Sequence, residues 1–101
     1  MGLLSIFGFG AKRKEKIREM LNNNGLIVDV RSKMEFDTGN VKGSVNVPLE
    51  SLKHKTSKLK NMKRPLVLVC RSGARSGTAA YQLSQEGIEC INGGRWKSFA
   101  S

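Results

Sequence analysis

Residues 66–77 read LVLVCRSGARSG, and this stretch decides how the chain is organised. Four apolar residues are typical of a buried strand, and this strand ends on Cys70. A turn of small residues and two arginines follows, and a helix-like segment then begins. Backbone N–H groups and cations around a thiol stabilise its thiolate and hold an anion beside it. The stretch therefore predicts a reactive cysteine, although a cysteine that ends an apolar strand can also be a buried core thiol.

The composition is that of a single globular domain. The chain has 101 residues, of which 39% are hydrophobic and 26% are charged, as in ordinary soluble proteins. Two cysteines, Cys70 and Cys90, are too few for a disulfide scaffold, so we expect a reducing compartment, the cytoplasm. No segment approaches the roughly 20 apolar residues that span a bilayer, so no transmembrane segment is expected.

The formal net charge of +10 is large for this length and favours anionic partners. Much of it lies in the basic stretch 53–64, which predicts a helix with a charged outer face or a docking surface for an acidic protein. Interleaved aromatic residues are missing from this stretch, which argues against nucleic acid as a partner. His54, the only histidine, is expected to be solvated, and no histidine or carboxylate motif indicates a metal site.

Helix and strand patterns alternate along the rest of the chain. Apolar spacing and capping signals predict helices over 14–23, 32–39, 51–61 and 77–86, strands over 26–30, 44–47, 66–69 and 88–91, and a turn at 92–94. Residues 1–12 form an apolar and basic segment that is expected to pack on the domain of residues 13–101, with a peripheral membrane contact as the alternative. Strands separated by helices imply a parallel α/β sheet whose ligand site lies beyond the carboxyl ends of the strands.

Four blocks of sequence together resemble the single-domain rhodanese family, whose members are sulfurtransferases. The blocks are Ile27–Arg31, the residues from Glu35 to Pro48, the cysteine stretch, and Gly93-Gly94 with Trp96. The resemblance covers roughly residues 14–97 and implies a small, mostly parallel sheet of about four to five strands with helices on both faces. The chain departs from the family pattern at Asn40, where His is usual, and at Ser44, where Ala is usual.

The resemblance implies a mechanism without a cofactor. The Cys70 thiolate would take a sulfur atom from an anionic donor, thiosulfate or a persulfide, and pass it to a thiol or to cyanide. Arg71 and Arg75 would lower the pKa of Cys70. Asp29 would brace the loop by hydrogen bonds, and Arg31 would lie near its mouth. The expected substrate-binding residues are those of the loop after the cysteine: Arg71, Ser72, Gly73, Ala74, Arg75 and Ser76.

Two other hypotheses compete with catalysis of sulfur transfer at Cys70. Cysteine-dependent phosphatases have a Cys-x5-Arg loop, whereas Cys70 and Arg75 form a tighter Cys-x4-Arg loop, which favours sulfur over phosphate or arsenate. A rhodanese-like module without turnover could serve docking or an RNA-linked sulfur relay, but it would have no need of a reactive thiol. Cys90 is expected to be a core residue, with a redox role as the alternative.

Overall fold

The computed structural model describes residues 2–100, and the side chains of residues 10–100. Four parallel strands form one sheet in the order β2-β1-β3-β4. The strands are β1 (Leu26–Asp29), β2 (Val45–Asn46), β3 (Leu66–Cys70) and β4 (Cys90–Arg95). The four α-helices are α1 (Gly2–Asn22), α2 (Lys33–Asp37), α3 (Leu52–Asn61) and α4 (Ala74–Gln85). The predicted parallel α/β fold is confirmed.

Helices cover both faces of the sheet because the central strand β3 is apolar on both sides. Side chains of a strand alternate between faces, and all five residues of β3 are buried. Leu66, Leu68 and Cys70 pack with residues of α3 and α4. Val67 faces the other way, onto Ile17 and Met20 of α1. Cys70 is therefore fixed at the end of the best-packed element of the sheet.

Helix α2 begins as the sequence predicts. The Ser32 hydroxyl accepts a hydrogen bond from the Glu35 N–H, and the Glu35 carboxylate accepts one from the Ser32 N–H. This capping box satisfies two backbone donors that have no partner within the helix. It also fixes the position of Glu35, which faces the cysteine loop.

Two of the predicted elements near the cysteine are wrong in their bounds. Helix α4 begins at Ala74 rather than at residue 77, because Gly73 adopts a φ of 102° that ends the turn three residues earlier. The predicted turn at 92–94 belongs to strand β4. It continues the pairing with β3 through an irregularity between Leu68 and Val69, where a bulge accommodates the extra residue.

Two further differences lie outside the cysteine region. Helix α1 begins at Gly2 rather than at residue 14; whether the first residues pack on the domain concerns side chains outside those described. The Ser51 side chain does not cap α3, because a turn of 3-10 helix over Leu49–Ser51 leads into it. No helix among residues 2–100 combines the length and hydropathy needed to cross a bilayer.

Candidate active site

The Cys70 thiol lies at the carboxyl end of β3 and has no exposed surface. Its sulfur accepts a hydrogen bond from the Gly73 N–H at 3.0 Å and one from the Ser76 N–H at 3.4 Å. The Ser76 hydroxyl lies 3.4 Å from the same sulfur. Both amides belong to the start of α4, where backbone N–H groups point away from the helix and its dipole favours negative charge. Of the backbone amides of residues 71–76, those of Gly73 and Ser76 thus donate to the Cys70 sulfur.

The pKa of the Cys70 thiol is lowered from its ordinary value although burial acts against this. Burial alone would raise the pKa, because a thiolate loses its hydration in the interior. Hydrogen bonds from the Ser76 hydroxyl and from the backbone N–H groups of Ser76, Gly73 and Ser72 outweigh that effect. These hydrogen bonds are the largest effects that lower it, and the charge of Arg75, which interacts with that of Cys70, acts in the same direction as predicted.

Arg75 binds a carboxylate rather than the cysteine. Its guanidinium donates to both carboxylate oxygens of Glu35, at 2.7 and 3.0 Å. This bidentate pair lowers the pKa of Glu35 to about 2, chiefly through the hydrogen bond from Arg75. The pair ties α2 to the first turn of α4. For Arg75 to bind an anion at the loop, as predicted, its guanidinium must therefore leave Glu35.

Asp29 and Arg31 form a buried ion pair beside the site. The Arg31 side chain, 3% exposed as a residue, donates to the Asp29 carboxylate at 2.7 Å and to the carbonyls of Glu35 and Gly39. Its guanidinium also lies 4.3 Å from the ring centroid of Trp96, a cation–π distance. Asp29 thus braces Arg31 and not the cysteine loop, which corrects the predicted role of Asp29.

Asn92 connects the site to β4 and is not among the predicted site residues. Its side-chain N–H donates to the Gly73 carbonyl at 3.0 Å. Its side-chain oxygen accepts from the Ser76 hydroxyl at 2.7 Å and from the Gly94 N–H at 2.9 Å. An asparagine ahead of two glycines has the composition of a turn, so no local pattern around Asn92 indicates this contact.

The other predicted loop residues have different surroundings. Ser72 and Ala74 are exposed, and the Ser72 hydroxyl accepts from the Ala74 N–H at 3.3 Å. Cys90 is half-buried and donates to the Ala80 carbonyl, and burial raises the pKa of its thiol. Cys90 therefore has the surroundings of a structural cysteine. Within residues 2–100, no group of three or more His, Cys, Asp or Glu side chains is arranged to hold a metal ion.

A basic cavity of about 340 Å³ lies at the end of the sheet next to the cysteine turn. Arg95 is the residue of β4 that pairs with Cys70 in register. Arg95, Arg71 and Lys97 are exposed, and none of the three forms an ion pair within the described residues. The complete lining comprises Arg31, Glu35, Thr38, Arg71, Arg95, Trp96 and Lys97. An anion that approaches the turn meets these three free cations.

Residues 13–97 match the model of the rhodanese-like domain, and the chain belongs to this family. It is 38% identical over 65 residues to the thiosulfate sulfurtransferase GlpE of Shewanella oneidensis, covering 64% of this chain and 63% of that protein. It is also 38% identical over 61 residues to the uncharacterized protein YqhL of Bacillus subtilis, covering 60% of this chain and 48% of YqhL. The chain thus spans between about half and two thirds of these two relatives.

The fold also matches solved structures of the family. The rhodanese-related protein of Thermoplasma volcanium superposes with a TM-score of 0.71 at 27% identity, over 82% of either chain. The family and the fold that the resemblance implied are thus confirmed.

Proposed function

We propose that the protein is a sulfurtransferase that carries sulfur as a persulfide on Cys70. The observation that carries the proposal is the pair of backbone N–H groups, those of Gly73 and Ser76, that donate to one sulfur atom, with the Ser76 hydroxyl 3.4 Å from it. A thiolate stabilised in this way is a nucleophile near neutral pH. The kinship with thiosulfate sulfurtransferases supports the same assignment.

The reaction balances without a cofactor. The Cys70 thiolate attacks the outer sulfur of thiosulfate, a bond between the two sulfur atoms forms, and sulfite leaves with the electron pair of the broken S–S bond. The outer sulfur of the persulfide carries the negative charge. A thiolate or cyanide then attacks this sulfur, takes it, and releases Cys70 as the thiolate. The free thiols of Cys70 and Cys90 are consistent with work in a reducing compartment, the cytoplasm.

The cationic cavity supports an anionic donor. Thiosulfate carries two negative charges, and Arg71, Arg95 and Lys97 surround the approach to the turn. Because Cys70 has no exposed surface, the donor reaches the sulfur only when residues that cover it move, and the turn of Arg71 and Ser72 is the exposed segment next to it. Gly73, which adopts a positive φ, lies where that turn joins α4.

Mass spectrometry of the intact protein after incubation with thiosulfate tests the proposal. We expect the wild type and a Cys90→Ser variant each to gain one sulfur atom, cyanide to remove it, and Cys70→Ser to gain none. An adduct that persists in Cys70→Ser, or no adduct on folded and reduced wild type with thiosulfate or a persulfide donor, would contradict it. The second outcome would favour the docking module without turnover.

A phosphatase or arsenate reductase is a weaker candidate. An arginine that encloses a phosphate needs a free guanidinium fork, whereas both terminal nitrogens of Arg75 bind Glu35. No geometric feature of the described residues favours that chemistry over sulfur transfer.

A further inference from the structure

The orientation of the Asn92 amide is determined by two backbone groups. Its nitrogen end faces the Gly73 carbonyl, which only accepts, and its oxygen end faces the Gly94 N–H, which only donates. A flipped amide would place two acceptors together and two donors together. The Asn92 oxygen is therefore the end that faces the Ser76 hydroxyl at 2.7 Å.

This orientation determines where the Ser76 proton points. A hydroxyl has a single proton, and the Asn92 oxygen can only accept. The Ser76 hydroxyl therefore donates to Asn92 and offers a lone pair to Cys70, 3.4 Å away. A thiol S–H can donate to that lone pair. A thiolate has no proton, so it faces an electron-rich oxygen until the hydroxyl turns.

We propose that Asn92 is a positioning residue that competes with the Cys70 thiolate for the Ser76 proton. When Cys70 loses its proton to water, the Ser76 hydroxyl turns to donate to the sulfur and gives up its bond to Asn92; Ser76 keeps its own proton throughout. Asn92 thereby opposes thiolate formation, and it favours the thiol until a substrate or a change of pH shifts the balance. The inference rests on the proposed function insofar as Cys70 is the nucleophile.

Asn92 has a second effect that acts in the opposite direction. By binding the Gly73 carbonyl and the Gly94 N–H, it also holds the turn that aims the Gly73 N–H at the sulfur. Replacement of Asn92 alone mixes the two effects. A double-mutant cycle with Ser76 separates them, because only the competition for the proton requires the Ser76 hydroxyl.

Other charges near the site remain in place throughout such a cycle. Those on the elements around Cys70 are Asp29 at the end of β1, Arg31 after it, Glu35 on α2, Arg71 in the turn, Arg75 on α4 and Arg95 on β4. None of them is altered in the variants below, so their contribution to the pKa of Cys70 is common to all four corners of the cycle.

The test is the pKa of Cys70, measured from the ultraviolet absorbance of the thiolate during a pH titration. Every protein carries Cys90→Ser so that Cys70 is the only thiol, and the absorbance of the Cys70→Ser, Cys90→Ser protein is subtracted. Asn92→Ala is compared in the Ser76 and Ser76→Ala backgrounds. We expect the change in the Cys70 pKa caused by Asn92→Ala to be more negative, by about one pH unit, with Ser76 than with Ser76→Ala. Without Asn92, the Ser76 hydroxyl donates to the charged thiolate, and a hydrogen bond to a charged group is stronger than one to a neutral group.

Equal shifts in the two backgrounds, or a higher pKa specific to the Ser76 background, would overturn the proposal. Circular dichroism verifies that the variants are folded. Should Asn92→Ala not fold, Asn92→Asp gives the same test with the opposite sign. A carboxylate binds the hydroxyl proton more tightly, so the pKa of Cys70 should rise more with Ser76 present than without it, and equal rises would refute the competition.

The outcome is independent of sulfur transfer. The titration needs no donor and no access of a reagent to the buried sulfur. If the cycle shows coupling while thiosulfate leaves no sulfur on Cys70, the proposed function fails and the role of Asn92 stands. If sulfur transfer occurs without coupling, the role of Asn92 fails and the proposed function stands.

Discussion

Arg31 is the most deeply buried cation among the described residues, and Asp29 is its only carboxylate partner there. Removing one partner of a buried pair leaves the other charge uncompensated, which costs about 3–5 kcal/mol. We therefore expect Asp29→Ala to lower the free energy of unfolding by about this amount. The matched control is Asp37→Ala, which breaks the exposed pair with Lys33 and should cost under about 0.5 kcal/mol.

Urea unfolding of the wild type and the two variants measures the two losses in free energy of unfolding, provided that the m-values are the same for all three proteins. Similar losses for Asp29→Ala and Asp37→Ala would mean that the buried pair contributes no more than a surface pair. They would also mean that the contacts of Arg31 with the Glu35 and Gly39 carbonyls are sufficient without the carboxylate.

Glu35 makes the stability depend on pH in a defined direction. Its pKa in the folded protein is about 2, compared with an ordinary value of 4.5. The stabilisation is thus fully present above pH 4.5 and is lost as the pH falls toward 2. Because the Glu35 side chain is 33% exposed, solvent screens the pair and we expect about 1 kcal/mol or less.

Glu35→Gln isolates the ion pair, since glutamine retains the capping interaction with Ser32. The difference in unfolding free energy between wild type and variant should be present at pH 6 and should shrink as the pH falls from 4.5 to 2. Glu89→Gln, at an exposed carboxylate without an ion pair among the described residues, is the control. A difference that stays constant with pH would contradict the assignment.

The turn between β3 and α4 depends on Gly73. Its φ of 102° is one that L side chains rarely adopt, and a Cβ there would lie 3.4 Å from the Gly94 Cα. We expect Gly73→Ala to cost about 1–3 kcal/mol of stability and to raise the pKa of Cys70, because the Gly73 N–H is aimed at its sulfur. Gly43→Ala provides the control, since Gly43 also has a positive φ but its Cβ would have open space around it.

Thermal unfolding and the thiolate titration of both variants measure these effects. A loss of stability at both positions with a raised Cys70 pKa only in Gly73→Ala is the expected pattern. An unchanged pKa in a folded Gly73→Ala protein would show that the amide of residue 73 is not needed to stabilise the thiolate.

Elements whose signals are local could be predicted from the sequence. The apolar runs gave β1 and β3 to within one residue, and the Ser32–Glu35 spacing gave the start of α2. The end of α4 was also local, since Gly87 follows it with a positive φ. Cys70 was predicted to be the reactive cysteine because the apolar strand, the thiol and the turn of small residues are adjacent in the chain. These features need no knowledge of distant residues.

Contacts between distant residues account for what sequence reasoning missed. Strand β4 contains Asn92, Gly93 and Gly94 because pairing with β3 outweighs their turn preference. Gly93 is required there, since a Cβ would lie 2.7 Å from a methyl carbon of Val67. The binding of Arg75 to Glu35, 40 residues away, could have been suspected only from their opposite charge. That pair occupies both terminal nitrogens of Arg75, so the predicted binding of a substrate anion by Arg75 stays a prediction.

At the scale of the whole molecule, the net charge of +10 acts through its distribution. Lys53, Lys55 and Lys58 on α3 are exposed and do not line the cavity beside Cys70. Arg71, Arg95 and Lys97 lie around the cavity beside Cys70. If the total charge attracts the anion, every positive surface contributes equally to that attraction. If the site attracts it locally, only the charges around the cavity contribute. The two cases predict different effects of equal charge changes.

We expect Arg95→Glu to raise the KM for thiosulfate and to lower kcat/KM by about threefold to tenfold at low ionic strength, since steering into a charged cleft enhances association on the order of 10-fold or more. Lys58→Glu changes the net charge equally on α3 and should leave KM close to that of the wild type. The effect of Arg95→Glu should fade as salt rises, because exposed charges are screened over about 10 Å at 0.1 M ionic strength. Equal losses in both variants would assign the attraction to the overall charge of the protein. No loss in either variant would indicate that the backbone N–H groups at the turn bind thiosulfate without help from the surrounding cations.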